Sequence, residues 1–238
     1  MKNNQNFKIQ IFADGADVKS IEKLNLDSKI NGFTTNPSLM KKAGIKDYKK
    51  FAHEVLKIVK DKPISFEVFS DEINEMELQA KEINSWGNNI YVKIPITNSK
   101  GEKTTNLVSK LSKNNIKCNV TAVFTLEQVK EIYNAIDTNT ETIISIFAGR
   151  IADSGLDPLE TMKEALKICQ SKKNIQILWA STRELYNIIQ ANNINCHIIT
   201  VPHSILPKLD GIGKDLNDLS LDTVKSFLVD AKNSGYKI

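Results

Sequence analysis

Arginine is nearly absent: of the 32 basic residues only Arg150 and Arg183 are arginine. Cysteine is scarce too. Cys118, Cys169 and Cys196 are too few and too scattered for a disulfide framework or a zinc cluster, and they fit buried thiols in a reducing cytoplasm. No apolar run approaches the ~18 residues of a membrane span. The opening Met1-Lys2-Asn3-Asn4-Gln5-Asn6 is polar and lacks a signal core. Histidine is sparse and dispersed (His53, His197, His203), with no H-x-H or H-E-x-x-H spacing, so no metal site is expected. A net charge of +4 over 238 residues leaves no nucleic-acid footprint.

What is present is an alternation. Eight short runs rich in Ile, Val and Phe fall at 8–14, 32–36, 64–69, 90–95, 117–124, 142–149, 175–181 and 196–202. Between them lie amphipathic stretches with three-to-four spacing at 47–60, 71–86, 103–111, 126–136, 158–169 and 183–191. Asp157-Pro158 reads as a helix start. The tail 221–231 reads as a further helix, because Val224, Phe227 and Leu228 share one face. The pattern predicts an α/β fold, a (β/α)8 TIM barrel. An open doubly wound sheet is the alternative, but no run is followed by a Gly-rich phosphate loop. With no Pro-, Gly- or Ser-rich linker, one domain over 1–238 with a C-terminal closing helix is expected.

Barrel strands are buried on both faces and should be almost wholly apolar. The exceptions are therefore informative. Asp14 ends the first run and Asn36 the second. Glu67 lies in the third and Lys93 in the fourth. Asn119 and Thr121 lie in the fifth, and Ser145 in the sixth, with Arg150 just beyond. Ser181 ends the seventh, with Arg183 following. Most sit near the C-terminal ends of strands, where barrel enzymes carry their chemistry. Period-two alternation puts Phe12 with Asp14, Ser65 with Glu67, Tyr91 with Lys93, Asn119 with Thr121, and Ser145 with Phe147 on shared faces. Lys93, inside IYVKIPI, carries the sharpest reading. A buried, unpaired ammonium is costly and is relieved by losing its proton, and a neutral amine can attack a ketone. Snorkelling, or a purely structural pair with Asp14 or Glu67, is the plainer alternative. Asp14 and Glu67 form a candidate acid/base pair. The two surviving arginines suit bidentate anion recognition, for which lysine is a poor substitute.

These residues fall in FADGADV (Asp14), TTNPS (34–38), FEV (Glu67), VKIP (Lys93), CNVTAVF (118–124), SIFAGRI (145–151) and ASTR (180–183). In that order, over about 12–202, the motifs resemble the transaldolase family, in the short form that includes fructose-6-phosphate aldolases. The resemblance implies a cofactor-free class I aldolase mechanism acting on small-molecule sugar phosphates. Lys93 would form the Schiff base and Asp14 would take the proton from the C4 hydroxyl. Glu67 and Thr121 would hold a relaying water. Asn36, Asn119 and Ser145 would bind the three-carbon unit, and Arg150, Ser181 and Arg183 would grip the phosphate. Glu67, with Phe147 before the arginine loop, resembles the transaldolase branch; glutamine and tyrosine there would resemble the aldolase branch, which releases free dihydroxyacetone. A sugar-phosphate-binding barrel without catalysis is the non-enzymatic alternative, for which Lys93 is not required. The string FADGADV departs from the more usual DTSD- or DTGD-like one, and Trp179 beside Ala180-Ser181 is a second departure. Short members commonly form rings through the C-terminal helix, so a homo-oligomer is implied.

Overall fold

A computed structural model describes residues 7–236. Each apolar run contains a strand, and successive strands pair in parallel. The order is β1 (Gln10–Asp14), α1 (Val18–Asn25), β2 (Gly32–Thr34), α2 (Pro37–Lys42), α3 (Tyr48–Ile58), β3 (Ile64–Glu67), α4 (Ile73–Asn84), β4 (Ile90–Pro95), α5 (Thr105–Lys113), β5 (Cys118–Val123), α6 (Leu126–Ala135), β6 (Thr142–Ile146), α7 (Ala148–Asp153), α8 (Pro158–Cys169), β7 (Ile175–Trp179), α9 (Tyr186–Asn193) and β8 (Ile198–Pro202). β8 pairs with β1, with Asp14 opposite Pro202, and closes the barrel. The expected (β/α)8 architecture is therefore present. The barrel unit runs from Phe7 to Leu206.

The helices form where caps and apolar stripes coincide. Asp47 caps α3 by accepting a 2.9 Å hydrogen bond from the Lys50 amide, and α3 buries Phe51, Ala52 and Val55. Each large apolar side chain so buried contributes about 2 kcal/mol. Thr125 and Gln128 form a reciprocal capping box on α6. Pro158 opens α8 after the Asp157 cap, as its sequence predicts.

Phe12, Tyr91, Ile143, Leu178 and Ile198 pack together although they come from β1, β4, β6, β7 and β8. Such a cluster can form only inside the barrel, and it makes the floor of the lumen. Gly32 lies opposite Phe12 because a Cβ there would sit 2.6 Å from the Phe12 ring. Two residues further along β1, β4, β6 and β8, at Asp14, Lys93, Ser145 and Thr200, the same inward face turns polar.

Several strands are shorter than their apolar runs. The second ends at Thr34, the third at Glu67, the sixth at Ile146 and the seventh at Trp179. Asn36 is consequently the N-cap of α2 and lies off the strand, and Phe147 is the N-cap of α7.

The chain from Pro207 belongs to a second compact unit. It holds most of a 3-10 turn (Leu206–Gly211) and the 19-residue α10 (Leu216–Ser234), longer than the 221–231 expected. Asp215 caps α10 and Gly235, at φ +68°, terminates it. Among the described residues, no helix is long and apolar enough to cross a membrane.

Candidate active site

The polar layer above the floor surrounds a cavity of about 540 Å³ at the C-terminal ends of the strands. Lys93 stands in register beside Glu67 of the neighbouring strand. Its Nζ lies 3.0 Å from Glu67 Oε2 and donates to the Thr35 carbonyl at 3.2 Å. The residue is only 8% exposed. The amine is thus buried as expected, but a carboxylate partners it. Removing either member would strand a charge in a low-dielectric interior.

Glu67 is itself held by its strand end. The Tyr48 hydroxyl donates to the Glu67 carbonyl at 3.0 Å, and the Tyr48 ring packs on Phe66, Phe69 and Trp86. Across the lumen, Thr34 donates to Asp14 Oδ1 at 2.7 Å and lies 2.5 Å from the Thr200 hydroxyl. Burial pushes the Asp14 carboxyl up from its ordinary value, against the opposing pull of Lys93, the Thr34 hydrogen bond and His203.

β5 carries an irregularity between Val120 and Val123, and Ala122 adopts φ +57°. Beside this bulge Thr121 lines the cavity, and its buried Oγ1 has no protein partner among the described residues. A buried hydroxyl in that state calls for water or a ligand. Ser145 lines the cavity too and donates to Asn119 Oδ1 at 2.6 Å, while Asn119 donates to Ser65 Oγ at 3.0 Å.

The two arginines flank the mouth. α7 starts directly after β6 because the chain must pass the end of β7 closely: the Gly149 amide donates to the Ala180 carbonyl at 3.3 Å. A Cβ at Gly149 would collide with the Ser181 carbonyl oxygen. Ser181 itself adopts φ +63°, a left-handed backbone that non-glycine residues seldom take. This contact brings Arg150, Ser181 and Arg183 to one rim. The Arg150 guanidinium sits 5.5 Å from the Phe147 ring centroid, a cation–π contact. Arg183 grips Asp153 of α7 through Nε, at 3.2 Å from Oδ1, and through a second guanidinium nitrogen to Oδ2.

A family model for transaldolase/fructose-6-phosphate aldolase matches residues 11–238. The chain belongs to that family. A probable transaldolase of Thermoanaerobacter sp. (strain X514) is 35% identical over 231 residues, 97% of this chain and 100% of that protein. A probable transaldolase of Streptococcus agalactiae serotype V is 35% identical over 202 residues, covering 84% and 89% of the two chains. Among solved structures, KGPDC from Streptococcus mutans aligns with a TM-score of 0.56 at 8% identity, covering 82% of this chain and 88% of that one. Orotidine 5'-monophosphate decarboxylase from Metallosphaera sedula aligns at 0.53 and 13%, covering 82% and 89%. At such identities these two establish the fold alone.

The structure gathers Asp14, Asn36, Glu67, Lys93, Thr121, Ser145, Phe147, Arg150, Ser181 and Arg183 around the one cavity of this family member's barrel mouth. Asn119 is not among the lining residues. It is fully buried and holds Ser145 from below. Asn36 lines the cavity while its Oδ1 accepts from the Leu39 amide at 2.9 Å to cap α2. Trp179 lies outside the lining set, fully buried. Sequence reasoning passed over Thr34 and Thr200, which buttress Asp14. Both were accessible from the period-two alternation, since Thr200 follows Ile198 on the inward face. Among the described residues, no group of three or more His, Cys, Asp or Glu side chains is placed to hold a metal ion.

Proposed function

We propose that the protein is a transaldolase. It transfers a dihydroxyacetone unit from a ketose phosphate, sedoheptulose 7-phosphate or fructose 6-phosphate, to an aldose phosphate, glyceraldehyde 3-phosphate or erythrose 4-phosphate, through a Schiff base on Lys93. The observation that carries this reading is the buried Lys93 Nζ, 3.0 Å from Glu67 Oε2, at a cavity rimmed by the only two arginines of the chain.

Glu67 takes a proton from Lys93, and the free amine attacks C2 of the ketose. Glu67, with a water held by Thr121, returns a proton to the carbinolamine oxygen, which leaves as water and gives the iminium. The Asp14 carboxylate then takes the C4 hydroxyl proton. The C3–C4 bond breaks, its electrons pass to the iminium nitrogen, and the aldose phosphate departs. The enamine carbon attacks the carbonyl of the incoming aldose, and Asp14 returns its proton to the new hydroxyl. Hydrolysis frees the ketose and Lys93. Arg150, Ser181 and Arg183 hold the phosphate and set the depth of the chain in the lumen. Asn36 and Ser145 orient the three-carbon unit, with Asn119 fixing the Ser145 rotamer.

Glu67 and Phe147 favour transfer over release. Neither supplies the neutral amide and phenol that the resemblance associates with free dihydroxyacetone. The reading extends to a cytoplasmic homo-oligomer, in keeping with three buried free thiols and the exposed apolar side chains of α10. Incubation with fructose 6-phosphate and erythrose 4-phosphate tests the reaction. Sedoheptulose 7-phosphate should accumulate only with the acceptor present. Dominant release of free dihydroxyacetone would favour the aldolase, and binding without turnover would favour a sugar-phosphate-binding barrel.

A further inference from the structure

Arg183 reaches the cavity rim with one edge of its head already taken. A guanidinium carries its N–H donors in one rigid plane. Nε donates to Asp153 Oδ1 at 3.2 Å, and Nη2 on the same edge donates to Oδ2. The Nη1–Nη2 edge remains, and it can fork onto a second anion. Arg183 lines the cavity and Asp153 does not, so the carboxylate approaches from outside the site. Asp153 is the last residue of α7, where an acid opposes the helix dipole, so the helix itself gains nothing from it. The stem of Arg183 is placed as well. A Cβ on Gly149 would lie 3.2 Å from its Cγ, and its backbone amide donates to Asn187 Oδ1 at 2.9 Å. Arg150, three residues before Asp153 on α7, is held by the Phe147 ring instead.

We propose that Asp153 is a positioning residue that acts through Arg183: it holds the outer edge of the guanidinium so that the remaining edge, with Arg150, meets the phosphate of the sugar. The side chains of the pair are 49% and 52% exposed, so the pair adds little to stability. Its effect is on order. A long, half-exposed side chain gives up rotamer freedom when it meets a ligand, and a side chain already fixed gives up less. The proposal has a sign that simple charge does not. Asp153 offsets one of the two rim cations, so electrostatics alone would make its removal tighten anion binding. At such exposure that attraction is screened, and loss of the fixed fork outweighs it.

This inference rests on the reading of the rim as a phosphate site, and its test keeps the two apart. The probe is arabinitol 5-phosphate, which carries a phosphate and has no carbonyl to react with Lys93. Its Kd by titration calorimetry should rise about fivefold in Asp153→Ala, and less in Asp153→Asn, which keeps one acceptor for Nε. A Kd that falls or stays the same would overturn the proposal. In an Arg183→Ala background, Asp153→Ala should change the Kd no further, because the carboxylate acts only through the guanidinium. A second loss of equal size would mean a role independent of Arg183 and would also overturn it. In the transfer assay, Asp153→Ala should raise KM for fructose 6-phosphate with little change in kcat; a fall in kcat at constant KM would mark a merely structural role. A Kd that moves as expected in a protein performing no transfer would sustain the positioning role and sink the transaldolase reading. An active transferase whose Kd ignores Asp153 would do the reverse.

Discussion

At the residue scale, the site sets stability against chemistry. The Asp14 carboxyl is pushed above its ordinary value near 3.8, chiefly by burial. The fold therefore prefers the protonated acid. That preference is fully present below the unfolded value and is lost as pH rises through the raised one, so at neutral pH the charged group weakens the fold. Asp14→Asn keeps an oxygen for the Thr34 hydroxyl and removes the charge. Its melting temperature should exceed that of the wild type by a few degrees at neutral pH, with the gain vanishing below about pH 4. A melting curve series across pH checks this, and a pH-independent difference would contradict it. The same variant should still form the imine while losing most carbon–carbon cleavage. Arg183 is the second residue to weigh. Lysine can neither fork onto a phosphate nor hold Asp153 by two nitrogens. Arg183→Lys should raise KM for phosphorylated ketoses about tenfold, with a much smaller change in kcat. Steady-state kinetics with phosphorylated and unphosphorylated ketoses separate the two effects. An unchanged KM would contradict the phosphate role.

At the element scale, the meeting of α7 with the segment after β7 is the construction that brings the two arginines to one rim. Gly149→Ala drives a methyl group into the Ser181 carbonyl. The change should destabilise the barrel by about 3 kcal/mol and raise KM for ketose phosphates, because the arginines of two elements lose their common spacing. Denaturant melts and kinetics on the surviving folded fraction measure both. The same junction explains what the sequence left illegible. The strands could be read because buried β-branched runs have no other simple solution, and α8 could be read to the residue from its Asp-Pro start. The run 142–149 reads as one strand, yet the last three residues leave it to cap and begin α7, where the chain meets the carbonyls of Ala180 and Ser181 just after β7, distant in sequence. α1 buries only Ile21, so it shows too little of a stripe to be predicted. α2 hides behind Asn36, whose polar side chain was read as a strand end when it is a cap. In the site, alternation located Lys93, Glu67 and Asp14, because inward polar residues on buried strands are rare. It did not separate residues that line the cavity from one lying a layer below, as Asn119 does, because the depth of a layer depends on strand stagger.

At the scale of the whole molecule, the closed sheet makes eight strand ends converge, and a site lined by seven of the strands and by the segment that follows β7 is a consequence of closure. The second unit raises a separate question. α10 has no buried residue, and Leu216, Leu219, Leu221, Val224, Phe227, Leu228 and Val229 are all exposed. A helix of that composition in water favours association. Light scattering on the purified protein should report an oligomer, and Phe227→Asp with Leu228→Asp should lower its mass. A monomeric wild type would contradict the homo-oligomer expected of this family member.

The proposed chemistry reduces to one nitrogen, that of Lys93. The protein is mixed with fructose 6-phosphate, reduced with borohydride and digested, and the modified peptide is located by mass. A reduced dihydroxyacetone adduct should appear on Lys93 and be absent from Lys93→Ala, whereas Asp14→Asn, which forms the imine without cleaving it, should carry the reduced adduct of the whole fructose 6-phosphate on the same lysine. Folded protein that yields no adduct, or one on another lysine, would show that Lys93 is not the Schiff-base residue.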